Sequence, residues 1–231
     1  MIKCYNDFIE ALLKAGFSLS IGDSGIYAVV PWGWYDEPPY DTPVSWGADD
    51  PNISPWEWRM RVLDERSDIA YGKFFFKKSG YITKEWYPYF LAARRGGQTF
   101  EDAYVSGTMS HFAKRIYDVV ADNGTLPSQD IKQLAGFKKD EKAGFERGLT
   151  ELQMRMFITM CGQQHRISQK GEEYGWSAAV FCTTENFFGN EVFDIAAGIS
   201  KDEAFEVIRE RVFELNPAAE ERNIAKFIAK A

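Results

Sequence analysis

The sequence holds little from which a metal site, a disulfide framework or a membrane span could be built. Its three cysteines, Cys4, Cys161 and Cys182, include no C-x-x-C pair, so neither a zinc knuckle nor a stapled secreted fold is expected, and the thiols read as ordinary and reduced. Two histidines, His111 and His165, stand far apart, and no H-E-x-x-H run, G-x-S-x-G elbow or P-loop occurs. The expectation is therefore no metal and no cofactor. No apolar run approaches the roughly 20 residues a membrane span needs. The N-terminal MIKCYNDFIEALLKAGF mixes charge with apolar residues as a surface helix does, so the expectation is a cytoplasmic protein with no membrane partner. Internal repeats and low-complexity tracts are absent too.

What is present is aromatic. Over 231 residues, 45% are hydrophobic and 16% are Phe, Trp or Tyr, a surface that must be buried in a folded core. The net charge of −7 disfavours a generic polyanion binder, but the charge is uneven. Residues 1–107 carry 11 Lys/Arg against 15 Asp/Glu, residues 108–170 carry 10 against 7, and residues 171–231 carry 6 against 12. A basic middle lies between acidic flanks.

Periodicity divides the chain into three parts: an aromatic-rich N-terminal subdomain over 1–107, a second subdomain over 108–185 and a helical segment over 186–231. In the first, Tyr5, Phe8, Ile9 and Leu12 predict a helix that Gly16 ends. Ile26 to Val30 reads as a strand, and the acidic, proline-rich 35–55 as an ordered loop. Ser54-Pro55 with Glu57 reads as a helix start, the helix running on through WEWRMRVLDERSDIA. GKFFFKKSGYIT fits an extended, hairpin-like segment, with Tyr81 and Ile82 entering a second aromatic helix, KEWYPYFLAARRG, kinked or broken at Pro88.

The stretch 108–185 is the most legible. TMSHFAKRIYDVVADNG carries an apolar stripe of Met109, Phe112, Ile116, Val119 and Val120, with Gly124 as its stop. A short extended Thr125-Leu126-Pro127 precedes the helix SQDIKQLAG. A third helix follows, in which Phe145, Leu149, Leu152 and Met156 step by four, three and four. Two extended stretches, FITMCGQQHRISQKG and GWSAAVFCTTENF, then form a hairpin. Helix, short strand, helix, turn, helix, hairpin is the winged-helix order. The expected fold is thus α+β, mostly helical, with a winged-helix subdomain, an aromatic N-terminal part and C-terminal helices.

In such a motif the second of its paired helices enters the major groove, with lysines and arginines on phosphates. Lys138, Lys139 and Lys142 at the head of the third helix, Arg147 and Arg155 along it, and Arg166 and Lys170 in the wing are the candidate DNA-binding residues. The same cations, interspersed with Asp140, Glu141, Glu146 and Glu151, also suit a solvated face of a protein-docking module. Trp32, Trp34, Trp46, Trp56 and Trp58, with Tyr27, Tyr35 and Tyr40, either stack unpaired bases or fill the N-terminal core.

Ser54-Pro55-Trp56-Glu57-Trp58-Arg59, Tyr71-Gly72-Lys73-Phe74-Phe75, Glu85-Trp86-Tyr87-Pro88-Tyr89-Phe90 and the order PSQDIKQLAG to FERGLTELQMRMFIT together resemble the AlkZ-related proteins. These are relatives of the bacterial AlkZ-type winged-helix DNA glycosylases. The resemblance covers about residues 50–215, and to the glycosylases themselves 108–185. It implies a duplex-DNA partner, a place in the DNA damage response, and excision of alkylated or crosslinked bases by a Gln-x-Gln or Gln-x-Asp motif. That motif is missing: none of Gln98, Gln129, Gln133, Gln153, Gln163, Gln164 and Gln169 has Gln or Asp two residues on, so no catalytic residue carries over. Excision by other residues needs a carboxylate that orients water and steadies the positive charge developing on the sugar. Glu57, Asp64 and Asp68, spaced seven and four on one predicted helix face, are the weak catalytic candidates. An arginine-paired, solvated face is the competing reading. Three functions follow: a DNA-binding protein with doubtful excision activity, a glycosylase with a relocated carboxylate, and a protein-interaction module or transcriptional regulator.

Overall fold

A computed structural model describes residues 1–31, 42–167 and 173–229, the side chains of 165–167 and 173–176 excepted. The fold is α+β and mostly helical, with six antiparallel strands in one sheet. The elements run α1 (Tyr5–Ala15), β1 (Phe17–Leu19), α2 (Pro55–Glu65), β2 (Ile69–Phe75), β3 (Lys78–Thr83), α3 (Tyr87–Arg94), α4 (Phe100–Val105), α5 (His111–Asn123), β4 (Thr125–Pro127), α6 (Ser128–Leu134), α7 (Lys142–Met154), β5 (Ile158–Ile167), β6 (Glu173–Thr183), α8 (Thr184–Phe188), α9 (Glu191–Ala197), α10 (Lys201–Leu215) and α11 (Glu221–Ala229). None of the described helices is long and apolar enough to cross a membrane.

The strand order is β1-β3-β2-β5-β6-β4. Sheet alternation explains how β2 serves two cores at once. Ile69 and Tyr71 face a cluster with α1 and α2 built on Tyr5, Phe8, Leu12 and Trp58, while Ala70 and Phe74 face one with α3, α10 and α11. A third core joins α4, α5, α6 and α7 to Ile158 of β5 and Phe181 of β6. Two halves of the sheet meet at a single register pair, Tyr71 opposite Met160.

Several local expectations are corrected. The segment 26–30 is not a strand. It makes one backbone bond to β1, Leu19 N–H to Tyr27 O at 3.0 Å, and the Val29 N–H is taken by the Ser18 hydroxyl at 2.9 Å, so no ladder forms. The helix from Pro55 stops at Glu65, because Arg66 is extended at φ −126°, ψ 127° and Ile69 enters β2. Pro88 lies in the first turn of α3, where its missing N–H has no intrahelical partner to lose, so it begins a helix rather than breaking one. Ser54 precedes α2 without a side-chain cap.

α5 and α7 cross at glycines. A Cβ on Gly148 would stand 2.9 Å from the Phe112 carbonyl carbon and 3.0 Å from Ala113 N, and one on Gly144 would stand 2.7 Å from the Phe112 ring. Gly144 and Gly148 are four apart and share the face of α7 that meets α5, so the backbones approach as only glycine allows.

Two buried tyrosines set an alkaline limit. Burial pushes Tyr81 well above its ordinary pKa, with the neighbouring Tyr71 adding to it. Tyr87 is raised by burial despite its hydrogen bond to Thr184. An unfolded tyrosine ionises near pH 10 while these keep their protons, so the native state binds more protons above pH 10 and stability falls there, by about 1.4 kcal/mol per group per pH unit. Arg94, drawn down to about 10 by burial, acts in the opposite sense over the same window and offsets one of the two. Tyr5, also buried and raised to about 12, adds to the tyrosine side, so the net expectation is a stability that falls as pH rises above 10. Urea midpoints at pH 9 and 11, with absorbance at 295 nm, check it. Full tyrosinate absorbance at pH 10.5 in a still-folded protein would contradict it.

Candidate nucleic-acid interface

Two adjoining cavities share Ser177 and Ala179 and form one groove across the sheet. The first, about 440 Å³, has α2 as its wall (Trp56, Glu57, Arg59, Met60, Leu63) and Tyr71, Met160 and Gln163 among its floor residues. The second, about 350 Å³, is walled by Gln129 and Lys132 of α6 and by Lys142, Phe145 and Glu146 of α7. Groove and helices are placed by the third core, which buries Ile131, Phe145, Leu149 and Phe181 beneath them.

At the floor of the first cavity Gln163 is held at both ends. Its amide nitrogen donates to Asp64 Oδ2 at 2.8 Å, and its carbonyl oxygen accepts from the Ser177 hydroxyl at 2.7 Å. The adjacent Gln164 is exposed, as strand alternation requires. Among the carboxylate candidates, Glu57 is exposed on the cavity wall. Asp64 is engaged by Gln163. Asp68 lies beyond the end of α2, not on it, and takes both arms of the Arg66 guanidinium at 2.8 and 2.6 Å. The structure thus brings Glu57 to the cleft, ties Asp64 to it only through Gln163, and leaves Asp68 in an ion pair. Glu65, on the same helix, pairs with Arg61 at 2.9 Å.

The candidate cations divide by position. Lys138, Lys139 and Lys142 are exposed together at the head of α7, and none forms a salt bridge to a described carboxylate. Elsewhere Arg61, Arg66, Arg95, Arg115 and Arg209 are all tied to carboxylates. Arg147 turns toward α5, its guanidinium 5.6 Å from the Phe112 ring centroid. Arg155 follows the last turn of α7, about 20 Å from Lys142 at 1.5 Å per residue. The Arg166 side chain and Lys170 lie outside the described residues.

Sequence reasoning missed what shapes the lysine turn. Arg115 on α5 reaches Glu141 at 2.7 Å and Ala135 O at 2.9 Å, with its guanidinium 4.0 Å from the Phe137 ring. Glu141 in turn accepts from the Lys138 N–H at 2.9 Å. The Arg115 hydrogen bond holds the Glu141 carboxyl below its usual range, so the clamp persists at neutral pH. An arginine on the polar side of an amphipathic helix carries no signal of this in the sequence.

Of the aromatic candidates, Trp58 is fully buried and donates its indole N–H to Pro51 O at 3.1 Å, so it belongs to the core and cannot stack on a base. Trp46 and Tyr27 pack against the same cluster. Trp56 lines the cleft under Arg59, whose guanidinium lies 3.3 Å from the ring centroid. Trp32, Trp34, Tyr35 and Tyr40 lie outside the described residues. His111 is exposed. Among the described residues no three His, Cys, Asp or Glu side chains are grouped to hold a metal.

The architecture is thus that of a mixed α+β protein with a groove between a long antiparallel ribbon and the helices α2, α6 and α7. Over residues 2–229 the chain matches the AlkZ-related family, and it belongs to that family. Neither the curated proteins nor the solved structures gave a significant match.

Proposed function

We propose that the chain is a winged-helix DNA-binding protein of the AlkZ-related family, gripping duplex DNA with the module of residues 108–185. The order α5, β4, α6, α7, β5, β6, with β4 paired to β6 and β6 to β5, supports the winged-helix reading. α7 takes the place of the groove-entering helix and the β5–β6 ribbon that of the wing. One observation carries the reading: the lysines at the head of α7, of which Lys142 lines the groove, form no salt bridge to a described carboxylate, in a protein of net charge −7 whose arginines are largely paired. Unpaired cations next to a helix N-terminus suit phosphate oxygens. Kinship with AlkZ-type glycosylases supports a place in the handling of damaged DNA. The missing Gln-x-Gln motif and the engagement of Asp64 and Asp68 speak for binding over excision.

Titration of a fluorescent duplex, intact and alkylated, across salt concentration tests the reading. Each phosphate contact contributes about −0.9 to the slope of log K against log salt. Three to five contacts give a slope of roughly −3 to −5. Absence of binding at low salt would move the module to protein recognition.

A further inference from the structure

A third cavity, of about 360 Å³, opens on the other side of the ribbon between the end of α2, β4, and the start of α8. Cys161 of β5 and Cys182 of β6 both line it, with Asp64, Arg66, Thr125 and Asn186 among their neighbours. In a regular ladder, residues placed as these are would be diagonal neighbours roughly 7 to 8 Å apart. The register here shifts between Met160 and Gly162, making Cys161 the extra residue of a β-bulge, where the strand bends and the side chain is re-aimed. The two cysteines stand on neighbouring strands and share the wall of this one cavity. Cys161 is half-buried and Cys182 buried, so a small reagent entering the cavity meets Cys161 first. The mutual interaction of the pair draws the Cys161 thiol down and pushes the Cys182 thiol up, with burial adding to the second. Reactive and resolving partners are distinguished by position, Cys161 being the more accessible.

We propose that Cys161 and Cys182 form a modification site at which a hydroperoxide converts the pair to a cross-strand disulfide of the β5–β6 ribbon. The Cys161 thiolate attacks the outer oxygen of the hydroperoxide. An S–O bond forms, the O–O bond breaks, and the leaving alkoxide or hydroxide takes a proton from water. The Cys182 thiol then attacks the Cys161 sulfur, forming the S–S bond and expelling the sulfenic oxygen as water with the Cys182 proton. Two thiols lose two electrons, and the hydroperoxide is reduced to alcohol (or water) plus water. Cys4, on the segment before α1, takes no part.

The test is peroxide treatment of the full chain followed by intact mass and non-reducing peptide mapping. The expected result is a loss of about 2 Da and a single Cys161–Cys182 crosslinked peptide, unchanged in Cys4→Ser. In Cys182→Ser the Cys161 sulfenic acid persists and is trapped by dimedone. Since Cys182 is buried and its replacement can weaken the fold, Cys161→Ser provides a second variant, in which Cys182 stays unmodified at the same peroxide dose. Overoxidation of Cys161 in the native chain without a crosslinked peptide, or crosslinking of Cys4 instead, overturns the proposal.

Discussion

Replacing Arg94 with Met is expected to cost about 3 to 5 kcal/mol, the range for disrupting a buried ionic hydrogen-bond network. For a chain of this length that lowers the melting temperature by about 10 °C or more. Arg94 is 8% exposed and forms no salt bridge to a described carboxylate. It donates instead to four carbonyls: Ile228 O at 2.9 Å, Phe227 O at 2.7 Å, Phe74 O at 2.9 Å and Met154 O at 3.0 Å. Phe227 and Ile228 sit in the last turn of α11, where helix carbonyls lack intrahelical acceptor use, and the other two belong to β2 and the end of α7. One planar fork therefore fastens the C-terminal helix to the sheet and to the helix that borders the groove. Methionine keeps much of the volume but leaves those carbonyls buried and unpaired, each costing about 1 to 3 kcal/mol if water cannot reach it. Lysine at the same position restores the charge without the fork and is expected to fall between the two. Urea denaturation measures the loss, and hydrogen exchange of α11 amides reports whether that helix loosens first. A loss under 1 kcal/mol for Arg94→Met would show that water replaces the fork.

This clamp was not legible beforehand. Arg94 and Arg95 are adjacent and look equivalent in the sequence, yet one is a buried hub and the other pairs with Glu185 at 3.1 Å. What separates them is the docking of α11, more than 130 residues later in the chain. Helices were readable where an apolar stripe repeats at 3.6 residues, as in α1, α5 and α10, because local burial dictates the pattern. The end of α2 was misplaced because RSDIA extends an apparently helical stripe, and only the entry of Ile69 into a strand buried on both faces ends it. Gly144 and Gly148 carried no readable signal of the crossing with α5 that requires them. The joint between the two halves of the sheet left no trace, since it rests on a pairing of residues 71 and 160. Cys161 and Cys182 looked scattered for the same reason: a bulge, not a spacing, brings them together.

The groove was legible only in part. The lysines at the head of α7 could be named because helix N-termini and clustered cations are local features. Asp64 could be named as a candidate carboxylate, but its junction with Gln163 and Ser177 could not, since each comes from a different element and no motif joins them. The aromatic surplus resolved mostly into core: Trp58, Tyr71, Tyr81 and Phe8 pack with ring centroids 4.9 to 5.5 Å apart, which explains why so many aromatics accompany so short a strand system.

The combined change Lys138→Ala, Lys139→Ala and Lys142→Ala is expected to weaken duplex binding by roughly two to three decades at about 0.1 M salt, and to shrink the salt slope by up to about 2.7, at 0.9 per phosphate contact. This rests on the proposed DNA-binding reading. The three side chains are exposed and hold no salt bridge to a described carboxylate, so their loss should leave the melting temperature within about 1 °C, surface changes of this kind being nearly neutral. That separation matters, because the backbone of the turn is held independently by Arg115 and Glu141, and the scaffold stays in place when the lysines go. Arg147→Ala offers an internal comparison: its guanidinium leans on Phe112, so a smaller effect on the slope is expected. An unchanged slope in the triple variant with intact binding would place the contact elsewhere on the groove, at Arg59 or Lys132. Binding lost together with the fold would instead trace to the clamp, which the unchanged melting temperature is there to exclude.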